Sequence, residues 1–148
     1  MSRLYFVDRD KIEETLVYFE SRIRLVEENQ EWNTSIEEAA LERILHMIIE
    51  SFLDVGNSMI DGFIMRDPGS YEDIIDILED EKVITTEMSE GLKKIVSLRK
   101  NLQQDYTMVD HTTLLNAFQH ELVYLKQFAP KVREYLVNEL GPVTAFKR

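Results

Sequence analysis

Residues 44–65 read ILHMIIESFLDVGNSMIDGFIM, and this stretch decides the fold. It is the longest apolar stretch of the chain, and three carboxylates, Glu50, Asp54 and Asp61, interrupt it. Each of these carboxylates would be unfavourable deep in a lipid bilayer. The stretch therefore predicts a buried helix at the centre of the fold and not a membrane span.

The central helix is predicted to begin well before residue 44. Ser35 followed by Glu38 resembles a capping box, in which two side chains satisfy backbone N–H groups at a helix start. From there the helix is expected to run to about Ile64, because the run Asp67-Pro-Gly69 stops it. It is apolar on most sides, so other helices should surround it.

Apolar side chains at helical spacing predict four further helices around the central one. The last contains Pro130, which is expected to kink or divide it before Gly141-Pro142 ends it. About five helices with short connections predict an all-α fold, an up-down antiparallel bundle in which residues 1–148 form a single domain. The predicted starts of the four helices are Asp8, Ser70, Thr85 or Thr86, and Asp110.

The charge of the chain limits the partners it can bind. With 28 acidic and 17 basic residues among 148, the formal net charge is −11, which repels nucleic acid over most of the surface. Any RNA contact must therefore use a local basic patch.

Cysteine is absent and no secretory segment opens the sequence, so a cytoplasmic protein is predicted. No metal-ligand cluster or Gly-rich phosphate loop is present, so neither metal nor cofactor is expected.

A polar stripe runs along one face of the otherwise apolar central helix. In the predicted fourth helix, Arg99 occupies a position in the apolar seam, and an unpaired buried charge would cost roughly 3–5 kcal/mol. Asp54 and Glu50 are therefore candidate partners for Arg99. Alternatively, the stripe lies in solvent or in a subunit interface, and Arg99 extends outward along its neighbours. The stripe comprises Arg43, His46, Glu50, Asp54, Asn57 and Asp61.

The segment Arg99-Lys-Asn-Leu-Gln-Gln-Asp-Tyr106 follows in the same helix. At 100° per residue, Tyr106 falls about 20° from Arg99 around a helix, whereas Gln104 falls about 140° away. Positions 99 and 104 can share a site only if the helix breaks between them or a second chain contributes.

Four stretches together resemble the HepT-like branch of the HEPN (higher eukaryotes and prokaryotes nucleotide-binding) superfamily, and its YutE-like members most closely. They are Glu-Ser-Phe-Leu-Asp-Val-Gly in the central helix, Asp-Pro-Gly-Ser-Tyr-Glu-Asp after it, the pair Val83-Ile84, and the segment that ends at Tyr106. The motif expected in this branch is Arg, four residues, His, one residue, Tyr. Arg99 and Tyr106 fit this motif, but Gln104 stands at the position of the His.

The resemblance implies a HEPN-like bundle and, for active relatives, a metal-independent toxin endoribonuclease. In that family the Arg holds the scissile phosphate and the His transfers protons. A Gln amide can only orient groups by hydrogen bonding, so Gln104 is expected to leave the site weak or inactive. His111 lies outside the family spacing, and a solvated or capping role is favoured for it. His46 and His120 are interpreted as structural.

The resemblance also implies partners. Two protomers of this family bring their motifs together across a dimer cleft, so a homodimer is expected. A minimal nucleotidyltransferase antitoxin can adenylylate the family's Tyr, which corresponds to Tyr106. Alternatively, Tyr106 is an ordinary core or interface residue. A second functional hypothesis is a non-catalytic interaction module that binds a nucleotidyltransferase or a nucleotide through Arg99 and Tyr106.

Lys93, Lys94, Arg99 and Lys100 form the densest positive cluster in the acidic sequence. They are candidates for steering the phosphate backbone of RNA toward the site. Equally, cations near the C-terminus of a helix complement its dipole, so the same residues are consistent with a solvated face.

Overall fold

Six α-helices make up the part of the chain that the computed structural model describes, residues 5–142, and there is no strand among these residues. The predicted all-α fold is confirmed, with one helix more than the expected five. In chain order the helices are α1 (Arg9–Glu28), α2 (Ser35–Gly62), α3 (Tyr71–Asp80), α4 (Thr86–Gln103), α5 (His111–His120) and α6 (Leu122–Leu140).

Short polar side chains cap the helix starts. Helix α2 begins one residue away from the prediction, because Thr34 is its N-cap and Glu37, not Glu38, completes the capping box. The Thr34 hydroxyl accepts a hydrogen bond from the Glu37 N–H at 3.1 Å, and Glu37 Oε1 accepts one from the Thr34 N–H at 3.0 Å. Four other helices start at predicted caps, which are Asp8, Ser70, Thr85 and Asp110.

The predicted final helix is divided at Glu121 and not at Pro130. Glu121 has φ −99° and ψ 9°, and it separates α5 from α6. Pro130 lies inside α6 on its exposed side. A proline removes one backbone donor, and here the carbonyl that loses it belongs to the exposed Lys126, which water can satisfy. The helix therefore continues through Pro130.

Helix α2 is the centre of the core, as predicted. The rings of Phe19, Phe52 and Phe128 from α1, α2 and α6 pack together with centroids 5.6–6.1 Å apart. All three are completely buried, so truncating one to Ala would cost roughly 3–5 kcal/mol. Within residues 5–142, no helix is long and apolar enough to cross a membrane.

Helix α4 lies close to α6 at Gly91. A Cβ atom at this position would lie 2.4 Å from Cδ2 of Tyr124 and 2.8 Å from Oε1 of Glu121. Only a residue without a side chain permits this approach. The N-terminal half of α4 is thereby held close to α6.

Candidate active site

Arg99 and Glu50 join α4 to α2. Arg99 Nε donates a hydrogen bond to Glu50 Oε2 at 2.6 Å, and the two side chains are only 20% and 27% exposed. This hydrogen bond raises the pKa of Arg99, against the opposing effect of partial burial. The prediction that a carboxylate of the polar stripe pairs with Arg99 is confirmed for Glu50.

Asp54, the other candidate partner, does not pair with Arg99. It lies one turn further along α2, and it makes no ion pair with any residue between 5 and 142. Although the residue as a whole is exposed, its carboxylate is partly shielded. This shielding, followed by the nearby charge of Glu50, raises the pKa of Asp54. Glu50 is one turn closer to Arg99 and takes the pairing position.

Tyr71, the first residue of α3, covers the other side of the guanidinium. The centre of its ring lies 4.0 Å from the central carbon of the Arg99 guanidinium, a cation–π contact. Arg99 is therefore held between a carboxylate and an aromatic ring. Tyr71 was not among the site residues predicted from the sequence, although it belongs to the stretch 67–73 that carried the family resemblance.

The end of α4 brings positions 99 and 104 into one cleft. The helix ends at Gln103, and the N–H groups of Gln104 and Asp105 both donate to the carbonyl of Lys100, at 2.8 and 3.1 Å. The expectation that the helix must break between these positions, or that a second chain must contribute, was wrong: α4 runs unbroken to Gln103, and Arg99 and Gln104 of one chain line the same cleft. The cleft has a volume of about 220 Å³ and is lined by Tyr71, Glu72, Val96, Ser97, Arg99, Lys100, Gln103 and Gln104.

His46, which was expected in the polar stripe but interpreted as structural, belongs to the same polar network. Its Nε2 lies 2.9 Å from Nε2 of Gln103 and 3.6 Å from Oε2 of Glu50. A signal was present in the sequence, because His46 precedes Glu50 by four residues and so shares its face of α2. The network therefore runs from Arg99 through Glu50 to His46 and Gln103.

The three lysines of the basic cluster point in different directions. Lys100 lines the cleft with Arg99. Lys93 instead donates to Oδ1 of Asp76 at 2.8 Å, and this hydrogen bond raises its pKa. Lys94 is 4.0 Å from Oε2 of Glu121. The structure thus places Lys100 at the site and Lys93 and Lys94 outside its lining.

Tyr106 lies beyond the cleft, in a 3-10 turn over Tyr106–Met108. It is 65% exposed, and Met108 beside it is 81% exposed. The next histidine, His111, contacts Oε2 of Glu42 through Nε2 at 2.6 Å and ties the start of α5 to α2. Tyr106 is therefore accessible from solvent, whereas His111 has a structural contact away from Arg99.

Comparison with known proteins identifies the family. The family model described as "Ribonuclease HepT-like" matches residues 12–132, most of the chain. The chain belongs to the HepT-like ribonuclease family. The residues of the site, from Glu50 to Gln104, all lie within the matched region of this HepT-like chain.

Two comparisons concern YutE of Bacillus subtilis (strain 168), a relative named as a candidate RNase. It is 51% identical to this HepT-like chain over 144 residues, which cover 97% of the chain and all of YutE. A solved structure of YutE, described as a cytosolic protein of unknown function, superimposes with a TM-score of 0.92 and covers 96% of this chain and 99% of its own. This chain and YutE thus share one fold over nearly the whole length of both chains.

A more distant solved structure carries the same HEPN fold. It is the tri-AMPylated Shewanella oneidensis HEPN toxin in complex with an MNT antitoxin, and its toxin chain has a TM-score of 0.74 at 21% identity. The match covers 83% of this chain and 96% of that one. This likeness confirms the HEPN-like fold.

Proposed function

We propose that this HepT-like chain is a metal-independent endoribonuclease of the toxin–antitoxin type that cleaves RNA slowly, because Gln104 replaces the histidine of the family motif. The strongest support is the anchoring of Arg99. Glu50 holds the guanidinium through Nε, and within residues 5–142 no second carboxylate lies at ion-pair distance from it. The terminal nitrogens of a guanidinium anchored in this way are suited to a phosphodiester.

Local charge supports the same assignment. Lys100 lines the cleft beside Arg99, so the lining carries two cations against one carboxylate, Glu72, in a chain whose net charge is −11. A phosphate entering the cleft would meet a positive surface, whereas the acidic remainder of the protein would repel the rest of the RNA. Weak binding with a strong dependence on salt concentration is the expected consequence.

Gln104 accounts for the low rate. An imidazole at this position could give or accept a proton near neutral pH, whereas an amide can only orient a group. General acid–base catalysis typically contributes about 10²–10⁴-fold to a rate. The site therefore retains phosphate positioning but lacks the proton carrier of the family motif.

The test is RNA cleavage by three purified proteins, wild type, Gln104→His and Arg99→Ala, on an unstructured RNA. We expect slow cleavage by wild type, cleavage faster by at least about tenfold with Gln104→His, and strong loss with Arg99→Ala. Circular dichroism melting checks that each variant is folded. Wild type and Gln104→His that are both inert, or an Arg99→Ala variant as fast as wild type, would contradict the proposal.

We propose a homodimer as the working assembly, as the family resemblance implies. Exposed side chains next to the cleft support it, since Tyr106 and Met108 leave an apolar surface in water. Light scattering after gel filtration should give twice the mass of 17.5 kDa. A Met108→Glu variant should shift the assembly toward the monomer, whereas Val123→Glu, at an exposed apolar position on α6, serves as the control.

The exposure of Tyr106 favours a second candidate function. A hydroxyl on an exposed turn is accessible to a modifying enzyme, so this chain is also suited to act as a non-catalytic module that a minimal nucleotidyltransferase binds and adenylylates. Co-expression with such an enzyme, followed by mass spectrometry, should show an AMP adduct on Tyr106. An unmodified Tyr106, or the same adduct on Tyr18 or Tyr71, which are also exposed, would count against this candidate.

A further inference from the structure

His46 shares a carboxylate oxygen with Arg99. Its Nε2 lies 3.6 Å from Oε2 of Glu50, and Arg99 Nε donates to the same oxygen at 2.6 Å. The imidazole and the guanidinium therefore lie close together, because both contact the same carboxylate oxygen. A phosphodiester bound by the guanidinium would bring its neighbouring 2′-hydroxyl close to the imidazole.

Gln103 separates His46 from the cleft. Its amide nitrogen lies 2.9 Å from Nε2 of His46, and Gln103 itself lines the cleft. It is the exposed last residue of α4, so its side chain is free to rotate away without disturbing the core. The His46 side chain is 25% exposed, so solvent and ligands can reach it.

The other two histidines of the chain are placed differently. His111 contacts Glu42 on one side and Glu38 on the other, at 2.6 and 3.7 Å. His120 is 77% exposed, and its Nδ1 lies 2.7 Å from Oε2 of Glu121 at the junction of α5 and α6. Of the three histidines, His46 alone belongs to the network of Arg99.

We propose that His46 is the proton carrier for RNA cleavage, in place of the imidazole that position 104 lacks; this inference rests on the proposed ribonuclease function. With its ring hydrogen on Nδ1, His46 offers the lone pair of Nε2 as a base. Once Nε2 is protonated, the Glu50 carboxylate stabilises the imidazolium by charge attraction.

The step that His46 assists transfers one proton and exchanges one bond at phosphorus. The 2′-hydroxyl gives its proton to Nε2 of His46 while its oxygen forms a bond to the adjacent phosphorus. The bond between phosphorus and O5′ breaks, and O5′ keeps the electron pair and takes a proton from water. The products are a 2′,3′-cyclic phosphate and a 5′-hydroxyl, and the imidazolium later returns its proton to solvent.

The experiment compares cleavage of one RNA by four proteins: wild type, His46→Gln, Gln104→His and the double variant. We expect His46→Gln to lower the rate by about 10²-fold or more in the wild-type background. In the Gln104→His background the same change should alter the rate by less than about threefold, since the new imidazole transfers the proton. His120→Gln, which changes a histidine outside the cleft, should cleave like wild type.

Each other result has a defined meaning. A His46→Gln variant as fast as wild type, or an equal loss in both backgrounds, overturns the role of His46 and leaves the ribonuclease function intact. An inert wild type beside an active Gln104→His also overturns it, because His46 then fails to replace the missing imidazole. If both are inert, the ribonuclease function itself fails.

A second measurement on wild-type protein does not depend on the variants folding. An RNA whose 2′-oxygens are methylated binds but cannot be cleaved through the 2′-hydroxyl. Its addition should shift the ring resonances of His46 in an NMR spectrum and leave those of His120 in place. A His46 resonance that stays unchanged while the RNA binds overturns the proposal.

Discussion

Two arginines in different regions of the bundle use their donors differently. Arg133 on α6 makes four hydrogen bonds at 2.9–3.0 Å to the carboxylates of Glu13 and Glu20 on α1. Arg99 on α4 makes a single hydrogen bond to a carboxylate, from Nε to Glu50. Arg133 is a structural clamp between the ends of the chain, whereas Arg99 is held at one edge and faces a cleft.

The number of N–H donors that are already bonded thus separates a structural arginine from a functional one. The hydrogen bonds that Arg133 donates to Glu20, and secondly those it donates to Glu13, raise its pKa, and all three of its nitrogens are engaged. Four of its five N–H groups are already bonded, so at most one remains for a ligand. The Arg99 guanidinium bonds a carboxylate through Nε alone and stacks on the Tyr71 ring, so it is fixed in direction and still able to bind an anion.

The largest expected effect is on catalysis at Arg99. Arg99→Ala should lower the rate of RNA cleavage by roughly 10²–10³-fold, the loss typical of removing one group that stabilises a transition-state anion. Gel analysis of a labelled RNA under single-turnover conditions measures it. Arg133→Ala is the matched control and should cleave at the wild-type rate per folded molecule; equal losses in both variants would remove the distinction between the two arginines.

Among these variants, Arg133→Ala should have the largest effect on stability. Arg133→Ala removes both ion pairs between α6 and α1, and we expect the free energy of unfolding to fall by about 1–2 kcal/mol, since the pairs are partly exposed to solvent. Urea denaturation measures the change. The loss should shrink in 1 M salt, which screens such pairs. A midpoint that does not move would show that the clamp contributes nothing.

A change at Glu50 should affect both RNA cleavage and stability. Glu50→Gln keeps the shape of the side chain but removes the charge that holds Arg99, so we expect unfolding to become easier by about 1 kcal/mol and cleavage to slow by about tenfold. Asp61→Asn, on the same helix and exposed, is the control for loss of one negative charge. A variant indistinguishable from this control would contradict the anchoring role of Glu50.

The smallest expected effect is the pH dependence at Asp54. Its pKa is raised in the folded protein, so ionised Asp54 destabilises the fold above its ordinary pKa, and this penalty disappears as the pH falls. Asp54→Asn should therefore stabilise the protein slightly at pH 7 and less at pH 4.5. Asp73, whose pKa is lowered by Arg66, should behave oppositely on substitution by Asn. Urea midpoints at the two pH values decide both signs.

The fold followed from the sequence because helical periodicity and caps are local properties. The break at Glu121 was missed because it has no Gly or Pro signal, and its carboxylate is buried by contacts between elements. Pro130 was given too much weight, since a proline on the exposed side of a helix leaves its unpaired carbonyl to water.

The site was predicted only in part, for a related reason. The pairing of Arg99 with a carboxylate of α2 followed from the need to neutralise a charge in the seam. Which turn of α2 supplies that carboxylate depends on how two helices are aligned, and this alignment placed Glu50 there instead of Asp54. Tyr71 enters through a contact between helices that no spacing within one helix reveals, and the spacing of His46 and Glu50 on α2 does not show the contact of His46 with Gln103 on α4.

The most direct test of the account is an NMR titration of the arginine Nε–H groups with a 2′-O-methylated RNA. The Arg99 signal should shift as the RNA binds, whereas the Arg133 signal, from a guanidinium with all three nitrogens engaged, should stay in place. An Arg99 signal that stays in place while the RNA binds would contradict the assignment of the cleft as the phosphate site.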